Sequence, residues 1–146
     1  MMARVNTVDI IGDESLSAKL IEKSIAEFVD SAMTSIGYEG LYNFKKLTTV
    51  DLLSATRLED RVFFECKQLT ALILRSGTVC TATGSSMLSR TPIAGYGGTG
   101  YIYVPRALVD TYKVATNWST YAAQFRALED YTVDGTVTGE LDPNKI

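Results

Sequence analysis

The sequence predicts an α/β solenoid: short units of one turn and one strand, stacked on each other between two dissimilar ends. Three observations predict it. The chain resembles itself at an offset of 22 residues, pairing AMTSIGYEGLYNFKKLTTVDLLS (32–54) with SATRLEDRVFFECKQLTALILRS (54–76). Each unit closes on alternating apolar positions, LTTVDL and LTALIL, as a half-buried strand does. Neither unit can bury its own apolar edge, so stacking is the physical solution, with one continuous ladder running through the units.

The elements follow in order. Residues 1–31 form an N-terminal cap. Asp13 caps a helix ESLSAKLIEKS with Leu16, Leu20 and Ile21 on one face, and IAEFV, with Ile25 and Val29, supplies a first strand. Residues 32–76 are the two repeats. Their apolar register keeps Ile36 over Leu58, Leu41 over Phe63, Phe44 over Cys66, Leu47 over Leu69, Val50 over Leu72 and Leu52 over Leu74. The middle parts, GYEGLYNF and EDRVFFEC, space their apolar residues as a helical turn does.

Residues 77–128 form a C-terminal cap. GYGGTG contains a literal G-x-G-x-x-G at Gly95, Gly97 and Gly100. A dinucleotide fingerprint must open a helix, because the phosphate rests on that helix's free N–H groups. These glycines lead instead into Tyr101-Ile102-Tyr103-Val104, a strand by propensity and alternation, so they are read as a tight turn. Beyond Pro105 a helical segment places Leu108, Val109 and Tyr112 on one side. A second, opened by Asn117, carries Trp118, Tyr121, Ala122 and Phe125 at helical spacing, read as a lid over the stack. Asn117-Trp118-Ser119 matches a glycosylation pattern, read as accidental because no export signal is visible. In the tail, 129–146, Asp134-Gly135 between two Thr-Val pairs signals a hairpin that packs on its own chain or adds to a neighbour's sheet.

Composition removes several chemistries. The formal charge is −3, with 14 Lys and Arg scattered along the chain, which argues against a nucleic-acid partner. No apolar run approaches the length needed to cross a bilayer, so no membrane insertion is expected. The absence of histidine excludes Ser-His-Asp and Cys-His units, and two lone cysteines supply no zinc set. No cofactor is implied. The doublets Asp13-Glu14, Glu59-Asp60 and Glu129-Asp130 are read as solvated surface, since adjacent side chains diverge.

TSIGxxxLxxFxxLTTVDL followed by TxLxxxxFxxCxxLTALIL resembles the leucine-rich repeats of the BspA type, and TPIAGYGGTGYIYVPRALVDTYKVATNWSTYAAQF is similar to the C-terminal capping segment of such proteins. The resemblance covers roughly residues 32–128. It implies a short non-enzymatic solenoid serving as a binding surface, as in bacterial surface adhesins and phage virion proteins. The missing signal peptide favours the virion, a tail or fibre component. The partners expected are a host-surface protein or glycan, other virion proteins and further copies of the chain in a homo-oligomer. The alternatives are a bacterial adhesin and a carboxylate-dependent glycan hydrolase built on Glu59 and Asp60.

Against the usual repeat, this chain places Tyr38 and Glu39 in one unit and Arg57, Glu59, Asp60 and Arg61 in the next. Tyr42 and Phe64 share a repeat position and are expected to stack on the solvent side of the turns. Leu53 and Ile73 fall at outward strand positions. Aromatics mixed with Arg and carboxylates have the composition of a recognition patch, so the candidate partner-binding residues are Tyr38, Glu39, Tyr42, Arg57, Asp60, Arg61 and Phe64.

Overall fold

A computed structural model describes residues 26–30, 32–94, 99–133 and 136–137. The expected N-terminal helix, Gly95, Gly97 and the Asp134-Gly135 turn lie outside the described residues. Strands are β1 (Glu27–Asp30), β2 (Ser35–Ile36), β3 (Thr49–Leu52), β4 (Arg57–Leu58), β5 (Ala71–Leu74), β6 (Thr81–Ala82), β7 (Tyr101–Val104), β8 (Phe125–Ala127), β9 (Thr132–Val133) and β10 (Thr136–Val137). The one α-helix among the described residues, α1, spans Val109–Val114, and short 3-10 turns cover Arg106–Leu108, Ser119–Gln124 and Leu128–Asp130. The arrangement is α/β, with two parallel sheets and few helical residues. One sheet runs β1-β3-β5-β7-β8, the other β2-β4-β6.

The register carries the 22-residue offset into space. Glu27 lies beside Thr49, Thr49 beside Ala71, and Ser35 beside Arg57. Between strands a threonine column repeats the same step: the Thr48 N–H donates to Ala26 O at 2.8 Å and the Thr70 N–H to Thr48 O at 3.0 Å. Their hydroxyls follow the backbone, Thr48 Oγ1 donating to Ala26 O and Thr56 Oγ1 to Thr34 O. The recurrence of Thr34, Thr48, Thr56 and Thr70 thus satisfies carbonyls left over where a turn gives way to a strand. The coils then break step. β6 pairs with β4 at an offset of 24 residues, Arg57 beside Thr81, and the chain makes a third turn below Phe63, whose N–H donates to Met87 O at 3.0 Å.

Leu47, Leu69, Val50, Leu72, Leu52 and Leu74 belong to one core, each no more than 1% exposed. Cys66 is buried in it and its thiol donates to Leu41 O at 2.9 Å. Fully burying side chains of this size stabilises by about 1.5–3 kcal/mol apiece, so the ladder is the main source of stability.

Three expectations need correction. The middle parts of the repeats are not helical turns. Glu39, Asn43, Arg61 and Glu65 have φ of 57°, 59°, 59° and 66°, which breaks any helix and makes a chain of tight turns. Arg90 has φ 64° and occupies the equivalent position in the third coil. Second, the lid is not a helix through Phe125. A 3-10 turn ends at Gln124 and Phe125 begins β8, parallel to β7. Asn117 does not cap that turn either. With φ 67° it turns its amide onto Ala82 O at 2.8 Å. Third, Ile73 points to the outer sheet face but is 1% exposed. Alternation fixes which face a side chain takes, not whether that face is covered. The row Val29, Asp51, Ile73 is buried there, and Tyr131 comes back against Tyr103 with ring centroids 4.6 Å apart. Burial raises the Tyr131 phenol's pKa, and the charges of Asp51 and Glu27 raise it further while Arg75 opposes them.

The C-terminal cap closes an open sheet edge. Tyr112, Trp118 and Phe125 pack with centroids 5.3–5.9 Å apart. Their polar tips meet β6 and its approach. The Cys80 N–H donates to Tyr112 Oη at 2.7 Å, and Trp118 Nε1–H donates to Cys80 O at 2.6 Å. Side chains therefore take the place of a fourth strand, leaving the aromatic stripe as a core lid and no free backbone edge at Cys80. Gly100 is needed for contact rather than for phosphate. A Cβ there would lie 2.8 Å from Thr70 O, and the next N–H, that of Tyr101, donates to the same oxygen.

Candidate functional site on the turn face

Stacked turns place equivalent side chains in columns, and inter-coil hydrogen bonds fix each column. The Leu41 N–H donates to Val62 O and the Asn43 N–H to Phe64 O, both at 2.9 Å, on either side of Tyr42. Tyr42 is thereby held over Phe64 with centroids 5.8 Å apart and ring planes 4° from parallel. Arg61 lies over Phe64, its guanidinium carbon 3.9 Å from the ring centroid, and its Nε donates to Glu39 at 2.8 Å. That bond to Glu39 raises the Arg61 pKa above its ordinary value, and burial opposes the rise. Tyr42, Phe64, Arg61 and Glu39 therefore form one connected group spanning two coils, built by the 22-residue repeat.

The other candidates divide. Tyr38 is 58% exposed and Tyr42 37%, so both face solvent. Arg57 is exposed and pairs with Glu59, which also accepts from Thr83 Oγ1 at 3.3 Å. Asp60 turns inward toward the next coil. Its Oδ1 accepts from the Ser86 N–H at 2.9 Å and the Arg61 N–H at 3.0 Å, and its side chain lies where a Cβ on Gly84 would sit. It joins the second coil to the third. The structure thus brings Tyr38, Glu39, Tyr42, Arg61 and Phe64 onto one surface and gives Asp60 a joining role.

Two residues of this surface escaped the sequence reading. Arg90 sits 5.9 Å from the Phe64 centroid and 3.6 Å from Glu65. A lengthening of three residues by this point of the third coil hides the equivalence of Arg90 with Glu65 and Asn43 from a fixed-offset comparison. The usable signal was the run Ser89-Arg90-Thr91, which resumes the turn pattern three residues late.

Elsewhere, an open cleft of about 360 Å³ lies between α1 and β8, lined by Arg106, Val109, Lys113, Phe125 and Asp130 among others. Arg106 pairs with Asp130 at 2.7 Å across its rim. On the adjoining edge Arg126 donates to Phe125 O at 2.8 Å and Ala123 O at 3.0 Å, blunting the strand. Among the described residues no three His, Cys, Asp or Glu side chains converge to hold a metal, and no helix is long and apolar enough to cross a membrane. No protein-family model matches the chain, and no curated protein matches it.

Proposed function

We propose that the chain is a short leucine-rich-repeat solenoid of the BspA type acting as a non-enzymatic recognition protein, with the turn face as its binding surface. The observation that carries this reading is the column Tyr42, Phe64 and Arg61 with exposed Tyr38 beside it. A rigid aromatic and guanidinium group on a coil surface offers large contact area at little cost in side-chain entropy. The parallel 22-residue register and the continuous core support the solenoid. On the residue resemblance the chain is taken as a phage virion component, in a tail or fibre. The expected partners are a host-surface molecule, neighbouring virion proteins and further copies of the chain. The carboxylates needed by a hydrolase, Glu59 and Asp60, are engaged by Arg57, Thr83, Ser86 and Arg61, which disfavours that alternative.

The test is binding of the fluorescently labelled full chain to intact bacterial cells and to purified virions lacking it. Arg61→Ala and Tyr42→Ala should each weaken attachment by about tenfold, the scale of one hot-spot residue. Attachment to cells or virions that neither substitution weakens, in variants with unchanged circular dichroism, refutes the turn face as the binding surface. Size-exclusion chromatography with light scattering tests self-association, and a stable monomer at micromolar concentration contradicts it.

A further inference from the structure

The two faces of the five-stranded sheet differ in chemistry. The inner face is apolar, with Phe28, Val50, Leu72 and Ile102 side by side in the continuous core. The outer face is mixed. Glu27 and Val29 on β1, Asp51 on β3 and Ile73 on β5 point outward, and Tyr103 continues the row on β7. Arg75, just past β5, folds onto Asp51 at 2.7 Å. Glu27, Val29, Asp51 and Ile73 are nevertheless no more than 7% exposed, so these charged groups lie under a cover.

The chain that returns after the 3-10 turn Leu128–Asp130 belongs to that cover. Tyr131 lays its ring against Tyr103 with centroids 4.6 Å apart. Burial raises the pKa of its phenol, and Tyr103, Asp51 and Glu27 add to the rise while Arg75 opposes it, so the ring lies among the charges of the outer face. The strands that follow, β9 and β10, pair with each other and, among the described residues, with no strand of either parallel sheet. Lifting this segment breaks no ladder of those sheets.

Hydration separates the two faces. Opening the inner face would expose apolar surface alone, which water disfavours in proportion to its area. Opening the outer face exposes Val29 and Ile73 but also returns Glu27, Asp51 and Arg75 to water, and the hydration of those charges offsets part of the cost. A cover over a half-polar face, with no ladder to it, belongs to the low-stability end of a structure and opens before the rest.

We infer that Tyr131 with β9 and β10 forms an intramolecular strap, hinged at Leu128–Asp130 and latched by the Tyr131 ring, which opens and closes over the outer sheet face while the coils stay folded. Closed, the strap withholds Val29, Ile73 and the Asp51 and Arg75 pair. Open, it presents them as a surface separate from the turn face.

Thiol labelling of the full chain reads the opening, because the two native cysteines supply a reference. Cys66 and Cys80 are free and buried in the core, so they react only when the coils open. Ile73→Cys adds a thiol beneath the strap, and Val29→Cys adds one on β1 should the first variant label its core cysteines at the unfolded rate. In native buffer the thiol at position 73 should react at least about tenfold faster than Cys66 and Cys80, with a weaker dependence on urea, yet far more slowly than in the unfolded chain. Val50→Ala, on the inner face, should speed Cys66 and Cys80 by about tenfold and leave position 73 unchanged, because Val50 stays packed when the strap opens. Tyr131→Ala should speed position 73 by about tenfold, the scale of one lost aromatic pair, and Tyr131→Phe should change it less. Labelling at position 73 that matches Cys66 and Cys80 in rate and urea dependence, or that follows them in Val50→Ala, overturns the strap as an independent unit. Labelling at the unfolded rate in native buffer overturns the cover, and indifference to Tyr131→Ala overturns the latch.

Discussion

Removing one member of the Asp51 and Arg75 pair should cost this protein a large share of its stability. Arg75 Nε and Nη2 donate to Asp51 Oδ1 and Oδ2 at 2.7 and 2.9 Å, with the two side chains only 5% and 10% exposed. Two bonds between charged groups are worth about 1.5–3 kcal/mol each, and breaking a buried pair typically costs about 3–5 kcal/mol because a desolvated charge is left behind. Both routes give a loss of roughly 4 kcal/mol for Arg75→Met or Asp51→Leu, against a total of about 5–15 kcal/mol for a domain. Urea unfolding followed by circular dichroism should show each single variant's midpoint lowered by about 2 M with the slope unchanged. The double variant should be less destabilised than the sum of the singles by about 2 kcal/mol or more, since apolar replacement removes both charges together. Additivity within about 0.5 kcal/mol would falsify the reasoning, for it would mean that the two charges do not depend on each other.

Three further outcomes follow from the same structure. Burial pushes the Cys80 thiol up from 9.0 to about 12 and the Tyr112 phenol from 10.0 to about 12. Raised folded values hold the proton, so this stabilisation is complete below about pH 9 and is lost as pH rises toward 12. Melting temperatures between pH 8 and 11 should therefore fall only above about pH 9, Cys80→Ala should flatten part of the decline, and a steady fall from pH 8 refutes it. Gly100→Ala should destabilise by about 1–3 kcal/mol, read by urea unfolding, because the added methyl would meet Thr70 backbone at 2.8–2.9 Å. A neutral result there would show that the β5 and β7 backbones are not in close approach. Glu65→Gly should raise stability by up to about 1 kcal/mol by relieving the left-handed backbone at φ 66°, with an exposed partner, Arg90, losing little. A destabilised variant would mean that the Glu65 side chain contributes more than its backbone strain costs.

The columns of the turn face were legible from spacing alone. Tyr42 over Phe64, Leu47 beside Leu69 in the core and Thr48 below Thr70 all follow from one 22-residue offset. Where coils superpose, a sequence period becomes a distance. The aromatic character of the C-terminal lid was legible too, since Tyr112, Trp118 and Phe125 have no other place to bury so much apolar area. Arg90 was not, because three extra residues shift its turn and defeat a fixed offset. Nor was the role of Asp60, whose composition reads as surface charge while its bonds to the Ser86 and Arg61 N–H groups join two coils.

What the amino-acid order alone determined is thus the repeat, the strand alternation and the membership of the inner core, all consequences of local periodicity. Only the tertiary structure decided which charges are paired, whether the outer sheet face at Ile73 is covered, and how side chains of the lid close the edge at Cys80. Those depend on segments far apart in the chain meeting in space, and no period within the sequence encodes such a meeting.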